Sequence, residues 1–360
     1  MASDVALMDR TAAAAPRRRG SLRPAIHALR GKIGRGLPDL TTVAVDRWIV
    51  EEGTPVEVRP ARCLPGQIDR IGVAAFGSHD DVVRDLRGGF ESRQSPTVAY
   101  RLRHVLLFDG VLHADGAWRH LRPRGRHFPV ARAIEERDLG TLYESWPGNR
   151  WFGNWLIDDC LTYRLAESVG RPITTQMPVG HMRSYERALE MSPERVQAAW
   201  FDDLVLFEDR THNEGRRQRA DDLRHRLVGE EPPRHPGVYL LRGASGARRT
   251  MSNEHVVVDR LARRGFRILD PIASSLDEIV QACAGAKIIA GIEGSHLCHG
   301  LMTMPRGAGL CVIQPPDRAV TVLKLATDRQ GQDFGFVVGK GTNEAFIADI
   351  DEIERTLDLF

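Results

Sequence analysis

Beyond position 238 the chain alternates short apolar runs with amphipathic stretches. The run at 238–241 leads into a stretch that Ser252 can cap, with Glu254 in its first turn and Arg263, Arg264 and Gly265 at its close. A second run, 266–269, precedes Ser275-Leu-Asp-Glu278, a capping box that opens a helix with Leu276, Ile279, Val280 and Cys283 on one face and Gly285 at its end. A third run, 287–290, is followed by a helix over 296–304 with Leu297, Leu301 and Met304 in register, and a fourth, 310–313, is closed by Pro315-Pro316. The runs begin at 238, 266, 287 and 310, separations of 28, 21 and 23 residues, which is the step of strand–helix–strand units. They lack strict alternation, as strands buried on both faces do, so a parallel, helix-covered sheet is predicted. In such a sheet ligands bind at the carboxyl ends of the strands.

The preceding half is less periodic. Strand-like runs stand at 100–108 and 204–207, and a helix is predicted over 155–169. The segment 229–237 contains three prolines between glycines and separates the two halves. The expected organisation is therefore a basic flexible arm (1–35), an amino-terminal α/β domain (36–231), a carboxy-terminal Rossmann-like domain (232–345) and a terminal helix (346–360).

At 360 residues, with 34 glycines and 20 prolines, the chain is neither fibrous nor low-complexity. Fifty basic and 48 acidic residues leave a net charge of +2, so bulk electrostatics point to no nucleic-acid partner. The first 35 residues, however, carry eight basic and two acidic side chains. This arm is expected either to make a peripheral membrane contact or to stay solvated. Five cysteines without C-x-x-C spacing indicate neither a zinc site nor a disulfide framework, and the expected location is cytoplasmic. No apolar stretch approaches the ~18 residues of a bilayer span, nor does the start of the chain resemble a signal peptide.

Two strand ends carry candidate chemistry. The first runs from Arg242 through a glycine-spaced loop to Arg248, Arg249, Asn253 and Glu254. Guanidinium forks and free backbone N–H groups suit a diphosphate, although an arginine-rich surface loop is the competing reading in a chain with 46 arginines and four lysines. The third strand ends in Gly291-Ile-Glu293-Gly294-Ser295-His296: glycine allows close approach, Ser295 caps or donates to phosphate, and Glu293 accepts from sugar hydroxyls. His296 and His299 lack metal-site spacing, Asp349 and Asp351 read as a helix start, and the 335–342 segment lacks P-loop spacing, so no metal is expected. In the other half, Trp146-Pro-Gly-Asn-Arg-Trp151-Phe-Gly153-Asn154-Trp155-Leu-Ile-Asp158-Asp159 enters the predicted helix with Asn154 as its N-cap. Asp158 is either a partly desolvated general base or a helix-dipole acid.

Taken together these segments resemble glycosyltransferase family 61. The carboxy-terminal pattern is matched by Tyr239-Leu-Leu-Arg242, Arg248-Arg249, Asn253-Glu254, Gly265-Phe266, the alanine-rich stretch 282–286, and Gly291-Ile-Glu293-Gly294-Ser295. Phe152-Gly-Asn154-Trp155-Leu-Ile-Asp158 is similar to the family's amino-terminal motif, with Asn154 in place of the usual histidine and Cys160-Leu-Thr162 in place of Leu-Pro-Arg. The resemblance implies a GT-B-like α/β fold: two Rossmann-like lobes with parallel sheets and a cleft between them. It implies inverting transfer of a hexosyl or pentosyl group from a nucleotide-diphosphate sugar to a glycan or lipid-linked acceptor, in capsule or exopolysaccharide biosynthesis, with no cofactor or obligatory metal. By the same resemblance Asp158 is the base. Arg242, Arg248, Arg249, Gly294 and Ser295 hold the diphosphate, Asn253, Glu293 and His296 orient the donor, and Asn154 and Trp155 stand on the acceptor side. A catalytically silent nucleotide-sugar-binding protein is the alternative, prompted by Asn154. The enzyme is expected in the cytoplasm, at the inner face of the membrane.

Overall fold

The computed structural model describes residues 17–33, 36–125, 129–243 and 248–360. Its carboxy-terminal part is a five-stranded, wholly parallel sheet. In chain order the strands are His235–Leu240, Phe266–Leu269, Ala286–Ile292, Gly309–Gln314 and Asp333–Val338. Across the sheet they run second, first, third, fourth, fifth. Gly309–Gln314 is buried along its whole length, as an unalternating apolar run inside a covered sheet must be. The crossovers are the helices Glu254–Arg263, Leu276–Gly285, Leu297–Thr303 and Val322–Gln330. Ser275 and Glu278 form the expected capping box, and Gly265 takes φ +82° where the first of these helices stops. Asn253, not Ser252, stands at that helix's N-cap, without a side-chain capping bond. The fifth strand was not among the four predicted runs, although Phe334-Gly-Phe-Val-Val338 is itself apolar.

The amino-terminal sheet departs from the expectation of a second parallel lobe. Nine strands build it around three long ones, Thr97–Phe108, Ala131–Leu142 and Ala198–Glu208. The last is antiparallel to the first and parallel to the second, so the sheet is mixed. One antiparallel pair has a local cause. Asp109 and Gly110 both have positive φ, 51° and 69°, making a two-residue turn between Thr97–Phe108 and Val111–Ala114. A connection that short joins only antiparallel strands, and Asp-Gly is the sequence signal for it.

Two further boundaries shift. Within the expected arm, Arg18–Ser21 pairs with Ala131–Leu142 and Arg23–Lys32 is a helix with Pro24 in its first turn. Two of its basic residues have partners: Arg19 lies over Trp200 at 4.6 Å, and Arg23 pairs with Asp115 at 2.7 Å. Positions 1–16 and 34–35 of that arm lie outside the described residues. The 36–231 segment also contributes to the carboxy-terminal sheet. Arg62 forms a parallel bridge beside Gly335, and Gly72 and Ala75 donate to the carbonyls of Pro316 and Ala319. One apolar core contains Trp155, Leu161 and Tyr185 together with Ile289, Leu297 and Leu301, so the two halves share their interior.

Candidate functional site

In an open parallel sheet the crevice forms where strand order reverses, here between the ends of His235–Leu240 and Ala286–Ile292. Arg242 leaves the first of these ends and Glu293 the second. Arg242 Nη1 donates to the Glu293 carbonyl at 2.8 Å, and Arg249 Nη1 donates to the same oxygen at 2.8 Å. Arg249 also lies 2.9 Å from the Glu293 carboxylate, both side chains being nearly buried. Gly294 makes this convergence possible, because a Cβ there would stand 1.8 Å from Arg242 Nη1. Burial lowers the Arg249 pKa to about 10, with Glu293 opposing the shift. Burial first, then Arg242, lowers His296 to about 3, so its imidazole is neutral at physiological pH.

These groups face a cavity of about 680 Å³ whose lining includes Arg242, Arg249, Glu293, Gly294, Ser295, His296 and Asn154. Its other wall comes from the tryptophan-rich segment. Ser145 caps the short helix Trp146–Arg150, accepting from the Gly148 amide at 3.1 Å; the chain then passes through Phe152–Asn154 into a wide π turn, Trp155–Asp159, before the helix Cys160–Val169. Asn154 is therefore helical and caps nothing; its Nδ2 donates to Asp158 Oδ2 at 2.7 Å. Gly153 lets this segment touch the Ser295 turn, since a Cβ would meet Cys298 Sγ at 2.8 Å and Ser295 Cα at 3.2 Å. The two motifs, far apart in sequence, are thus in van der Waals contact.

Not every expected residue joins them. Trp155 is 1% exposed and packs on Phe152 and Tyr185, so it is core and not a contact surface. Asp158 is absent from the lining of the arginine cavity. Its oxygens accept from Asn154 and from Arg216, whose side chain is fully buried, and it borders a second cavity with Tyr100, His120, Trp146 and Glu208. Arg248 is exposed and outside the arginine cavity, and its neighbours 244–247 lie outside the described residues. Asn253 exchanges hydrogen bonds with the backbone of Ala348, because the chain's last turn folds back over that helix start. Glu293 lines the cavity with its carboxylate ion-paired to Arg249 at 2.9 Å. Asp349 accepts from the Glu352 amide at 3.1 Å as the cap of Ile350–Leu357, as the sequence indicates.

Other lining residues were missed. Phe76, beneath Arg318 at 5.7 Å, and His181, whose Nε2 lies 2.5 Å from the Pro271 carbonyl, come from loops without a motif. His299, which the sequence sets beside His296 as a structural or ligand-contacting histidine, lines the cavity as well, with Tyr185 Oη 2.7 Å from its Nδ1. Burial raises the Tyr185 pKa well above 10 and lowers His299 to about 3, so the phenol donates and the imidazole accepts at Nδ1.

Residues 146–311, which include both walls, match the family model described as Glycosyltransferase 61. The match to glycosyltransferase family 61 covers 166 of the 360 residues. The matched stretch takes in the tryptophan-rich segment, Arg242, Arg249 and the Glu293–His296 turn, and the family it matches is one of glycosyltransferases. No curated protein matches the chain. Among solved structures it is similar to the metal-soaked Flv1 flavodiiron core from Synechocystis sp. PCC6803, at 11% identity over 44% of this chain and 41% of that one, with a TM-score of 0.24. It is also similar to a mutant flavo di-iron protein from Thermotoga maritima, at 15% identity over 57% of this chain and 50% of that one, with a TM-score of 0.27. The chain spans half or less of each of those proteins.

Proposed function

We propose that this chain transfers a hexosyl or pentosyl group from a nucleotide-diphosphate sugar to a hydroxyl of a glycan or lipid-linked glycan, with inversion at the anomeric carbon. The observation that carries the reading is the pair Arg242 and Arg249, converging on the Glu293 carbonyl at the point where strand order reverses. Fixed guanidinium groups in a partly water-excluded site stabilise the charge that develops on a departing diphosphate, which leaves no step requiring a metal. In the reaction the acceptor O–H bond breaks, its oxygen attacks the anomeric carbon in line, and the carbon–oxygen bond to the diphosphate opens with its electron pair staying on the phosphate. His296 and Ser295, which line the cavity, are read as contacts of the diphosphate or the sugar, and Trp151 and Phe152 as stacking surfaces.

Asp158 is read as the base that takes the acceptor proton. The second cavity, which it borders, is then the acceptor side, and Asn154 links the two cavities by lining the first and bonding Asp158. The Asn154 bond occupies one lone pair of Asp158 Oδ2 and leaves the other to take the acceptor proton. The GT-B-like reading is kept in a restricted sense, with the cleft between the ends of the parallel strands and the amino-terminal segments. A role in capsule or exopolysaccharide synthesis, in the cytoplasm at the inner membrane face with the basic amino-terminal region as peripheral contact, completes the proposal.

A second reading is a silent nucleotide-sugar-binding protein, favoured by the engagement of both Asp158 oxygens. A thermal-shift screen of nucleoside diphosphates and nucleotide sugars, followed by hydrolysis and transfer assays on the hits, separates the two. Turnover supports the transferase. Binding without turnover in the presence of cell-derived glycans supports the silent protein, and no diphosphate binding sinks both.

A further inference from the structure

The helix Arg23–Lys32 and its flanks hold four large apolar side chains in water: Leu22, Ile26, Leu29 and Ile33 are 63%, 51%, 62% and 62% exposed. With roughly 3.6 residues per turn, these positions fall within about 60° of arc, a single stripe. The opposite side of the helix is docked. His27 is buried, its Nδ1 3.0 Å from His113 Nδ1 and its ring edge-on to Trp118 at 6.1 Å. Gly31 lies so close that a Cβ would stand 3.2 Å from the Trp118 ring. Arg23 fixes the same side through Asp115 at 2.7 Å and the His104 carbonyl at 2.9 Å. These polar and aromatic contacts set the rotation of the helix and direct the stripe away from the body of the protein.

The charge around the stripe names its partner. Residues 17–33 contain six basic side chains and no acidic one. Arg30 and Lys32 are exposed on the helix, and Arg17, Arg18 and Arg19 are exposed on the strand segment before it. An apolar stripe bordered by cations suits the boundary of an anionic bilayer, where apolar side chains enter the acyl region and long basic side chains reach the phosphates. A second copy of the chain is disfavoured, because stripe-to-stripe pairing would bring two such cationic segments together. Among the described residues no helix is long and apolar enough to cross a membrane, so the contact is in-plane.

We propose that the segment from Leu22 to Ile33 lies in the plane of an anionic lipid surface, with Leu22, Ile26, Leu29 and Ile33 inserted and Arg30, Lys32 and the preceding arginines on the headgroups. It deepens the peripheral contact of the proposed function and rests on that reading for its biological sense, but lipid binding is measured without any transfer. The full chain is sedimented with vesicles of phosphatidylcholine and phosphatidylglycerol in equal parts, and with vesicles of phosphatidylcholine alone. Binding to the anionic vesicles, weakened by salt, is expected to fall about tenfold in Ile26→Ser or Leu29→Ser and about a hundredfold in the double variant. Melting temperature and nucleoside-diphosphate binding are expected to stay at wild-type values, since both positions are exposed. Equal binding to both vesicle types, no binding, or wild-type binding by the double variant overturns the proposal. So does a concentration-dependent dimer, seen by sedimentation velocity, that the double variant abolishes. Vesicle binding without nucleoside-diphosphate binding upholds the lipid surface and counts against the transferase reading alone.

Discussion

Gly153→Ala tests the contact on which the candidate site depends. The added methyl would lie 2.8 Å from Cys298 Sγ, 3.1 Å from Ser295 Oγ and 3.2 Å from Ser295 Cα. Carbon atoms in contact normally stand roughly 3.5–4.0 Å apart, so the nearest overlap approaches 1 Å. Relief is limited, because Cys298 is buried and the Cα belongs to the turn that continues from the Glu293 carbonyl. Overpacking of this kind costs about 1–3 kcal/mol, equivalent to a fall in melting temperature of roughly 1–4 °C in a chain of this size. A shifted Ser295 turn also loosens the anion site, so weaker nucleoside-diphosphate binding should accompany the fall. Replacing Cys298 by Ala in the same chain removes the closest clash while leaving the two serine contacts. The double-mutant cycle should therefore show a favourable coupling of about 1 kcal/mol. Differential scanning fluorimetry and isothermal titration with the best diphosphate from the screen read both quantities. If Gly153→Ala melts and binds like wild type, the two motifs do not touch as described; if the single effects simply add, Cys298 is not the obstructing atom.

Arg249→Ala should weaken nucleoside-diphosphate binding by roughly 10- to 100-fold, the worth of one charge-assisted hydrogen bond, and an unchanged Kd in titration calorimetry would refute its assignment to the anion site. Asp158→Asn removes the counter-charge of the fully buried Arg216 and should cost about 3 kcal/mol or more, lowering the melting temperature. In the fraction that stays folded it should abolish transfer and keep diphosphate binding, so full transfer would mean another base. Acid should destabilise the fold through its buried histidines. Burial, aided by Arg23, lowers His27 to about 4, and burial, aided by His27, lowers His113 to about 3. Both are neutral when folded and protonated when unfolded below about 6.5, so the unfolded chain binds more protons and stability present above that pH is lost as pH falls towards about 3. The melting temperature should decline from about pH 6.5 downwards, less steeply in His113→Gln, and a flat profile to about pH 4.5 contradicts the reading.

The carboxy-terminal sheet was readable because its signals are local. Apolar runs without alternation, the Ser275–Glu278 box and the Gly265 stop each depend on a few adjacent residues, and they pointed to Arg242 and Glu293 as the strand ends that matter. The amino-terminal sheet was less readable, since its long strands are separated by hairpins and loops, although the Asp109-Gly110 turn was a usable antiparallel signal. Asn154 looked like a cap because a loop of glycine and tryptophan precedes it; Ser145 has that role instead, and the helical path runs on through a π turn.

What the sequence determined by itself was the alternation of strand and helix, the basic loop at one strand end and the family resemblance, all of which rest on neighbouring residues. Only the tertiary structure decided the strand order that sets Arg242 beside Glu293, and the contact between Gly153 and the Ser295 turn. It alone gave Asp158 to Arg216 and turned Trp155 into core. It also brought Phe76 and His181 to the cavity wall and turned the apolar stripe of Arg23–Lys32 outward. A spacing rule reaches one helical turn or one strand, whereas these outcomes depend on which surfaces pack across tens to hundreds of residues.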